Sequence, residues 1–339
     1  MERIDFLLSI ASLSPALLRD PPAFATALKA SDRRIRPLFP LLYEELTLKQ
    51  STEIPESLRK AFFSSEERSH LLGDMSRQLS AILEANQVNY CYIKGLDIAD
   101  RYYKPRMLRP SGDIDILVSH EDAARLGAIL SGLGYRLFST RPHYHSRYEG
   151  NGVLLEVHSD IVSYKYRVLF RLDAVRTASL LEERRLSDEL YLLYSCLQLF
   201  DEMGRRLFPL VDIYQILKHG INLSVWERLA ACTEISFPVL YTHYYALERF
   251  GVDLFPKPLL APFRVRDSHL RDLRNVAKDA TEKRELYPLI LKMAEPRTEK
   301  MLRLLFPPAY VRQSYGPEGP GSSLFHHWKR ILREMFGKN

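Results

Sequence analysis

Two aspartates separated by one residue lie in the otherwise apolar stretch Ser111–Val118 (SGDIDILV). The apolar, β-branched residues predict a β-strand, and side chains two positions apart on a strand share one face. Asp113 and Asp115 therefore project together, while the residues between and after them point into a core. Adjacent carboxylates repel each other unless a cation lies between them, and oxygen ligands at this spacing suit Mg²⁺. The stretch predicts a metal site.

A third carboxylate, Glu156, lies in the apolar stretch Val153–His158, which also predicts a strand. An unpaired charge in such a place is costly, so Glu156 is expected to have a partner. His158 shares its face and is a candidate hydrogen-bond partner for a catalytic carboxylate or a phosphate, although a structural histidine explains it equally well. His143, His145 and His158 lack the fourth ligand of a tetrahedral zinc site, so no zinc is expected.

Basic residues precede the aspartates. Lys94-Gly95 falls where a strand turns into a helix, and backbone N–H groups together with the helix dipole bind phosphate at such a place. Arg106 and Arg109 lie in the loop just before the carboxylates, within reach of a triphosphate. Acidic groups for metals beside basic groups for phosphates are expected for phosphoryl or nucleotidyl transfer. A lone Asp-x-Asp would also fit a sheet edge that faces water.

The order of these segments resembles the uncharacterised nucleotidyltransferase family within the polymerase-β-like superfamily. The resemblance extends from about Tyr90 to Ile161, and it is specific as a set rather than in any single piece. The matching segments are Tyr92–Leu96, Tyr102-Tyr103, Arg109, Gly112–Val118, Gly132–Tyr135, His145 and Leu155–His158.

The resemblance implies a minimal nucleotidyltransferase core in which Asp113 and Asp115 bind two Mg²⁺ ions. Glu156 matches the third carboxylate, which would bind one metal and is a candidate base for activating the acceptor. Arg109 matches the arginine that precedes the aspartates, for which phosphate contact is the natural role. The residues assigned to nucleotide binding are Lys94, Gly95, Arg109, Ser111 and Gly112.

A weaker match to the family extends through Leu190–Lys218, where Leu210–Ile213 fits a Leu-x-Asp-Ile-like segment. Asp212 in this segment is a candidate substrate contact, and a helix-end or salt-bridge role fits it as well. The preceding helix often carries histidines in the family, but this chain has Gln198 and Glu202 there. This chain therefore departs from the family at the positions that would support a histidine-dependent role for the helical region.

The chain is predicted to have an α+β fold, with a small mixed β-sheet nucleotidyltransferase core embedded between N- and C-terminal helical regions. In the first helical region, Ser64-x-x-Glu67 is a capping box that predicts a helix starting after Ser64. The predicted divisions are a helical region over 1–85, the catalytic core over 86–165, a helical domain over 166–310, and a linker with a terminal amphipathic helix over 311–339.

Composition narrows the class of protein. The 339 residues are 46% hydrophobic and 27% charged, which indicates a globular chain and excludes dominant disorder. No apolar run is long enough to cross a bilayer. A net charge of +6 favours anionic ligands such as nucleotides, nucleic acid or a phospholipid surface. Three cysteines without a C-x-x-C pair predict no disulfide framework and indicate a reducing cytoplasm.

Together these features predict a Mg²⁺-dependent nucleotidyltransferase that transfers NMP from an NTP to a hydroxyl-bearing acceptor and releases pyrophosphate. The acceptor is open among a small molecule, a sugar, a peptide and an RNA end, the last as in toxin-type nucleotidyltransferases. A catalytically inactive nucleotide-binding or scaffold protein is the alternative. The terminal helix fits a membrane surface, a partner groove or docking on its own domain, and the last is preferred.

Overall fold

The computed structural model describes residues 2–30, 33–51, 53–141, 144–172, 177–279, 304–305 and 328–329. Apart from residues 328 and 329, the predicted linker and terminal helix lie outside these ranges, as does His143.

A five-stranded mixed sheet forms the centre of the described chain, with the strand order β1-β2-β5-β4-β3. β2 and β5 are parallel, and every other neighbouring pair is antiparallel. The sheet lies between helical segments, which confirms the predicted α+β class. The strands are β1 (Tyr90–Ile93), β2 (Asp113–Val118), β3 (Arg136–Arg141), β4 (His145–Gly150) and β5 (Val153–His158).

Helices precede, interrupt and follow the sheet. Those before and between the strands are α1 (Arg3–Ile10), α2 (Pro21–Ala30), α3 (Phe39–Leu48), α4 (Glu56–Ala85), α5 (Gly95–Tyr102) and α6 (His120–Gly132). Those after it are α7 (Tyr164–Leu169), α8 (Thr177–Glu183), α9 (Asp188–Glu202), α10 (Phe208–His219), α11 (Leu223–Cys232), α12 (Ser236–Phe250), α13 (Lys257–Leu260) and α14 (Asp267–Asp279). None of the described helices combines the length and apolar character needed to span a membrane.

The two faces of the sheet have different partners. Ile114, Ile116 and Val118 of β2 pack in one buried apolar cluster with side chains of α4 and α6. The alternate residues of β2 point the other way, and among them Leu117 belongs to the larger core built by the remaining helices. Because strand side chains alternate, Asp113 and Asp115 lie on the face of Leu117, turned towards the helices that follow the sheet.

The hairpin between β4 and β5 sets the register on that face. Asn151 and Gly152 form its turn, and both have positive φ, 53° and 73°, as a type I′ turn requires. With this two-residue connection the strands pair so that Arg147 lies opposite Glu156. The turn therefore places a basic side chain beside the carboxylate of β5.

The helix start predicted after Ser64 is wrong. α4 begins at Glu56, directly after the extended Pro55, and Ser64 and Glu67 lie exposed in its interior. Leu58 is fully buried, so packing extends the helix to the N-terminal side of the capping-box pattern.

Replacing Gly152 with alanine will lower the free energy of unfolding by about 1–2 kcal/mol, because a side chain is strained at positive φ. A Cβ at Gly152 meets no atom within 4 Å, so the cost comes from the backbone alone. Gly132, at the end of α6, also leaves room for a Cβ and has no positive φ, so Gly132→Ala is the neutral control. Urea unfolding compares the two variants, and equal midpoints would contradict the role given to the turn.

Candidate active site

Parallel pairing of β2 with β5 brings the predicted carboxylates together. Asp115 lies directly opposite Glu156 in the register, and neighbouring strands are about 4.8 Å apart. Both side chains are buried, each with 3% of its surface exposed. Asp113 lies two residues earlier on the same face and is only half-buried. The face therefore carries two enclosed carboxylates and one at a more open edge.

The ammonium group of Lys94 lies between the two buried carboxylates. Its Nζ is 2.9 Å from Oδ1 of Asp115 and 3.5 Å from Oε2 of Glu156. A third contact, of 3.0 Å, joins Nζ to Nε2 of His158, which also lies 2.9 Å from Oδ1 of Asp115. The ammonium thus contacts two carboxylate oxygens and one imidazole nitrogen, and the tautomer of His158 sets whether that nitrogen donates or accepts.

Two tyrosine rings enclose this lysine from other elements. The Nζ atom of Lys94 is 5.9 Å from the ring centroid of Tyr144 and 5.8 Å from that of Tyr194, distances at which cation–π attraction acts. Burial raises the pKa of both tyrosines, so both rings are neutral phenols at physiological pH. Tyr194 belongs to α9, and the helical region thereby contributes one wall of the site.

Glu156 has a second basic partner in Arg147. The Nε atom of Arg147 is 2.6 Å and its Nη2 atom 2.5 Å from Oε1 of Glu156. About a third of the arginine side chain is exposed, so the pair reaches from the interior to the surface. Arg147 is not among the residues predicted from the sequence. The signal for it was the hairpin turn, which fixes the residue of β4 that faces Glu156.

The pKa shifts separate Asp113 from the other two carboxylates. Burial, reinforced by the charges of Asp115 and Glu156, raises the pKa of Asp113 to about 6. Burial acts on Asp115 in the same direction, but Lys94 and His158 outweigh it, and its pKa lies below the ordinary value. Hydrogen bonding to His158 and the charge of Lys94 likewise lower the pKa of Glu156 despite burial. Uncompensated negative charge is therefore concentrated at Asp113.

Two buried histidines, His145 and His158, lie beside the carboxylates. His145 lies opposite His158, and their ring centroids are 4.9 Å apart. One ligand atom from each of His145, Glu156 and His158 lies within 4.8 Å of the others, a set of donors that a metal could use. The fold thus brings together three possible metal ligands, although the spacing of these residues along the chain did not predict a metal site. Nε2 of His158 and both oxygens of Glu156 nevertheless already contact Lys94 or Arg147.

The predicted phosphate turn is closely packed. A Cβ on Gly95 would lie 2.3 Å from Oγ of Ser111, so only glycine lets the loop before β2 approach the start of α5. Arg68 of α4 donates hydrogen bonds to the carbonyl oxygens of Gly112, at 2.6 Å, and Gly152, at 2.9 Å. One helix therefore holds both the loop before β2 and the hairpin before β5.

Arg109 and Asp212 form a buried, two-point salt bridge. Nε of Arg109 lies 2.8 Å from Oδ1 of Asp212 and Nη2 lies 2.7 Å from Oδ2, while the Tyr103 hydroxyl donates to Oδ1 at 2.7 Å. Asp212 belongs to α10 and is 1% exposed, so of its two predicted roles the structure has the salt bridge. The bridge holds Arg109 beside Gly95, whose carbonyl oxygen accepts a 3.2 Å hydrogen bond from Nη1. Arg106 turns away and contacts α4 and α5.

We compared the amino-acid sequence with models of known protein families. The profile of a family described as uncharacterised nucleotidyltransferase matches residues 27–251, more than half of the chain. The matched span contains Asp113, Asp115 and Glu156, which we call the acidic face. It also contains Lys94 and the Arg109–Asp212 bridge. The chain belongs to the uncharacterised nucleotidyltransferase family. No curated protein and no solved structure matches it significantly.

Membership of the uncharacterised nucleotidyltransferase family confirms the resemblance drawn from the sequence. It supports a general nucleotidyl transfer activity and classifies the protein as a transferase.

Asp113 and Asp115 will respond in opposite directions to replacement by asparagine in metal-free buffer at pH 8. Asp113→Asn will stabilise the fold by about 1–3 kcal/mol, because a carboxylate whose pKa is raised is ionised at a cost. Asp113 ionises near pH 4 in the unfolded chain but only near pH 6 in the folded protein, so ionisation destabilises the fold increasingly between these two values. Below about pH 4 the carboxyl group is protonated in both states, and Asp113→Asn then brings no gain in stability. Asp115→Asn will destabilise the fold by about 3–5 kcal/mol, because it leaves the Lys94 ammonium without its closest partner. Thermal unfolding measures both, and shifts of equal sign would contradict this division of charge.

Asp212→Ala will destabilise the protein by about 3–5 kcal/mol, because it leaves the Arg109 guanidinium buried and unpaired. Tyr103→Phe is the matched control: it removes one hydrogen bond to the same carboxylate, leaves the ion pair in place and costs about 1.5–3 kcal/mol. Guanidinium unfolding distinguishes the two, and equal losses would show that the ion pair is not the main contribution.

Proposed function

We propose that this protein is a Mg²⁺-dependent nucleotidyltransferase that transfers NMP from an NTP to a hydroxyl-bearing acceptor and releases pyrophosphate. The observation that carries the proposal is the placement of Asp113, Asp115 and Glu156 on one face of two adjacent parallel strands, within the span that matches the family.

The donor set at the open edge fits Mg²⁺. Mg²⁺ prefers carboxylate oxygens and keeps several waters, which a half-buried position allows. Asp113 and Asp115 would hold the ion, since the raised pKa of Asp113, about 6, marks negative charge that the basic side chains leave uncompensated. Bound there, the ion would neutralise triphosphate charge and assist the leaving group.

The proposed nucleotide site uses groups of this chain. We assign the triphosphate to the N-terminal end of α5, where Gly95 and the loop of Ser111 and Gly112 meet and the helix dipole favours anions. Arg109 lies beside this turn, where Asp212 holds it in place and compensates its charge, and its Nη1 donates to the Gly95 carbonyl oxygen. The acceptor oxygen attacks the α-phosphorus, the bond to the β-phosphate oxygen breaks, and pyrophosphate leaves.

Glu156 has a different role here from the base suggested by the resemblance. A general base works best when its pKa lies near the working pH, and that of Glu156 is held below its ordinary value. Its two oxygens also contact Lys94 and Arg147. We therefore assign Glu156 to positioning these two cations beside the reacting groups, and the acceptor proton to solvent.

The proposed reaction requires only that the acceptor carries a hydroxyl group. A small metabolite, a sugar, a peptide side chain and an RNA end all offer the required hydroxyl group. A reducing cytoplasm is the proposed compartment, since NTP is the proposed substrate and Cys91, Cys196 and Cys232 are free thiols.

A second candidate is a protein that binds nucleotides without transferring them. The observation that favours it is the position of Lys94, whose ammonium lies between Asp115 and Glu156, where a two-metal transferase would hold an ion.

Mg²⁺-dependent pyrophosphate release and self-labelling, measured with each of ATP, GTP, CTP and UTP, test the proposal. We expect release with at least one nucleotide, and a loss of at least about 100-fold in Asp113→Asn, because the variant lacks a metal ligand. Asp74→Asn, an exposed aspartate of α4, is the control and should keep the full rate.

Full activity in Asp113→Asn would show that the metal site is wrongly placed. Tight binding of a non-hydrolysable NTP without release from any of the four nucleotides would favour the second candidate. Absence of both binding and release would contradict both.

A further inference from the structure

The surroundings of Lys94 form a cage for a cation. We define the ammonium cage as Asp115, Glu156, His158, Tyr144 and Tyr194. Oδ1 of Asp115, Nε2 of His158 and Oε2 of Glu156 lie 2.9, 3.0 and 3.5 Å from Nζ, and 14% of the lysine side chain is exposed. Two carboxylates within 3.5 Å of Nζ favour the charged ammonium in this buried place.

The backbone at Lys94 indicates that these contacts are strong enough to hold a strained conformation. Lys94 has φ 56° and ψ −124°, in a region that glycine enters readily and residues with a Cβ enter at a cost. Such strain persists only where the surroundings maintain it. The side chain in the cage and the 2.8 Å hydrogen bond from the Ile98 N–H to the Lys94 carbonyl oxygen provide that support.

An ammonium in the cage and a divalent ion at the same two carboxylates exclude each other. Mg²⁺ binds carboxylate oxygens at about 2.1 Å, so an ion shared by Asp115 and Glu156 would fall in the space that Nζ now fills. Two like charges so close together in a buried site repel strongly. Asp113, in contrast, forms no salt bridge within the described part of the chain, and its open edge stays available.

We propose that the ammonium of Lys94 is the resident cation of the Asp115–Glu156 pair, so that the site binds one divalent ion, between Asp113 and Asp115, in place of two. The inference rests on the metal site of the proposed function and specifies how many ions that site holds. A fixed ammonium then supplies on the Glu156 side the positive charge that a second metal would bring.

Counting bound Mn²⁺ in the full-length, nucleotide-free protein tests this directly. Electron paramagnetic resonance of free Mn²⁺ gives both the number of ions bound and their affinity. We expect one ion in the wild type and two in Lys94→Met, which keeps most of the side-chain length without the charge. Lys104→Met removes an exposed lysine whose Nζ contacts only the Asp100 carbonyl oxygen among the bonds described, and it should bind one ion.

Two further variants keep the test decisive. Lys94→Gly relieves the strained backbone as it empties the cage, so it remains informative if Lys94→Met folds poorly, and it should also bind two ions. The double variant Lys94→Met/Glu156→Gln lacks the second carboxylate and should return to one ion.

Two ions in the wild type would overturn the inference, as would identical counts and affinities in the wild type, Lys94→Met and Lys94→Gly. A second ion that binds to Lys94→Met and Lys94→Gly, together with a single ion in the wild type, would support it. Because the count needs neither NTP nor acceptor, it is independent of transfer. One bound ion without pyrophosphate release would count against the transferase and keep the inference, whereas release with two bound ions would support the transferase and overturn the inference.

Discussion

Compensation of two buried carboxylates by one buried ammonium is the interaction on which the site depends. Asp115 and Glu156 face each other across a parallel strand pair, and neither could stay ionised there without a cation nearby. Lys94 provides that charge from the turn between β1 and α5, and Arg147 adds a second from β4. The compensation stops short of Asp113, so the face has one carboxylate free to recruit a metal ion.

The rest of the fold holds this charge pattern in register. The β4–β5 hairpin determines that Arg147 faces Glu156, and Arg68 of α4 ties that hairpin to the loop before β2. On the other side, the buried pair of Arg109 and Asp212 joins the same loop to α10. Removing one partner of such a pair is costly, so the bridge also fixes how the helical region covers the sheet.

Much of the sheet was predictable because strand periodicity is a local property. Alternation in β2 showed that Asp113 and Asp115 share a face, and the predicted strand Val153–His158 has the same bounds in the structure. Pairings between distant elements were not predictable in this way: the partners of Lys94 and Asp212 depend on strand order and helix packing. The helix start after Ser64 failed for a related reason, since burial of Leu58 outweighed a local capping signal.

We infer that Lys94, in place of a second metal ion, supplies the positive charge between Asp115 and Glu156. Anomalous diffraction at the manganese edge, from crystals of the full-length protein with Mn²⁺ and a non-hydrolysable NTP, locates each divalent ion. We expect one manganese peak beside Asp113 and Asp115, with the Nζ of Lys94 still between Asp115 and Glu156. A manganese peak between Asp115 and Glu156, with the lysine side chain displaced from the cage, would contradict it.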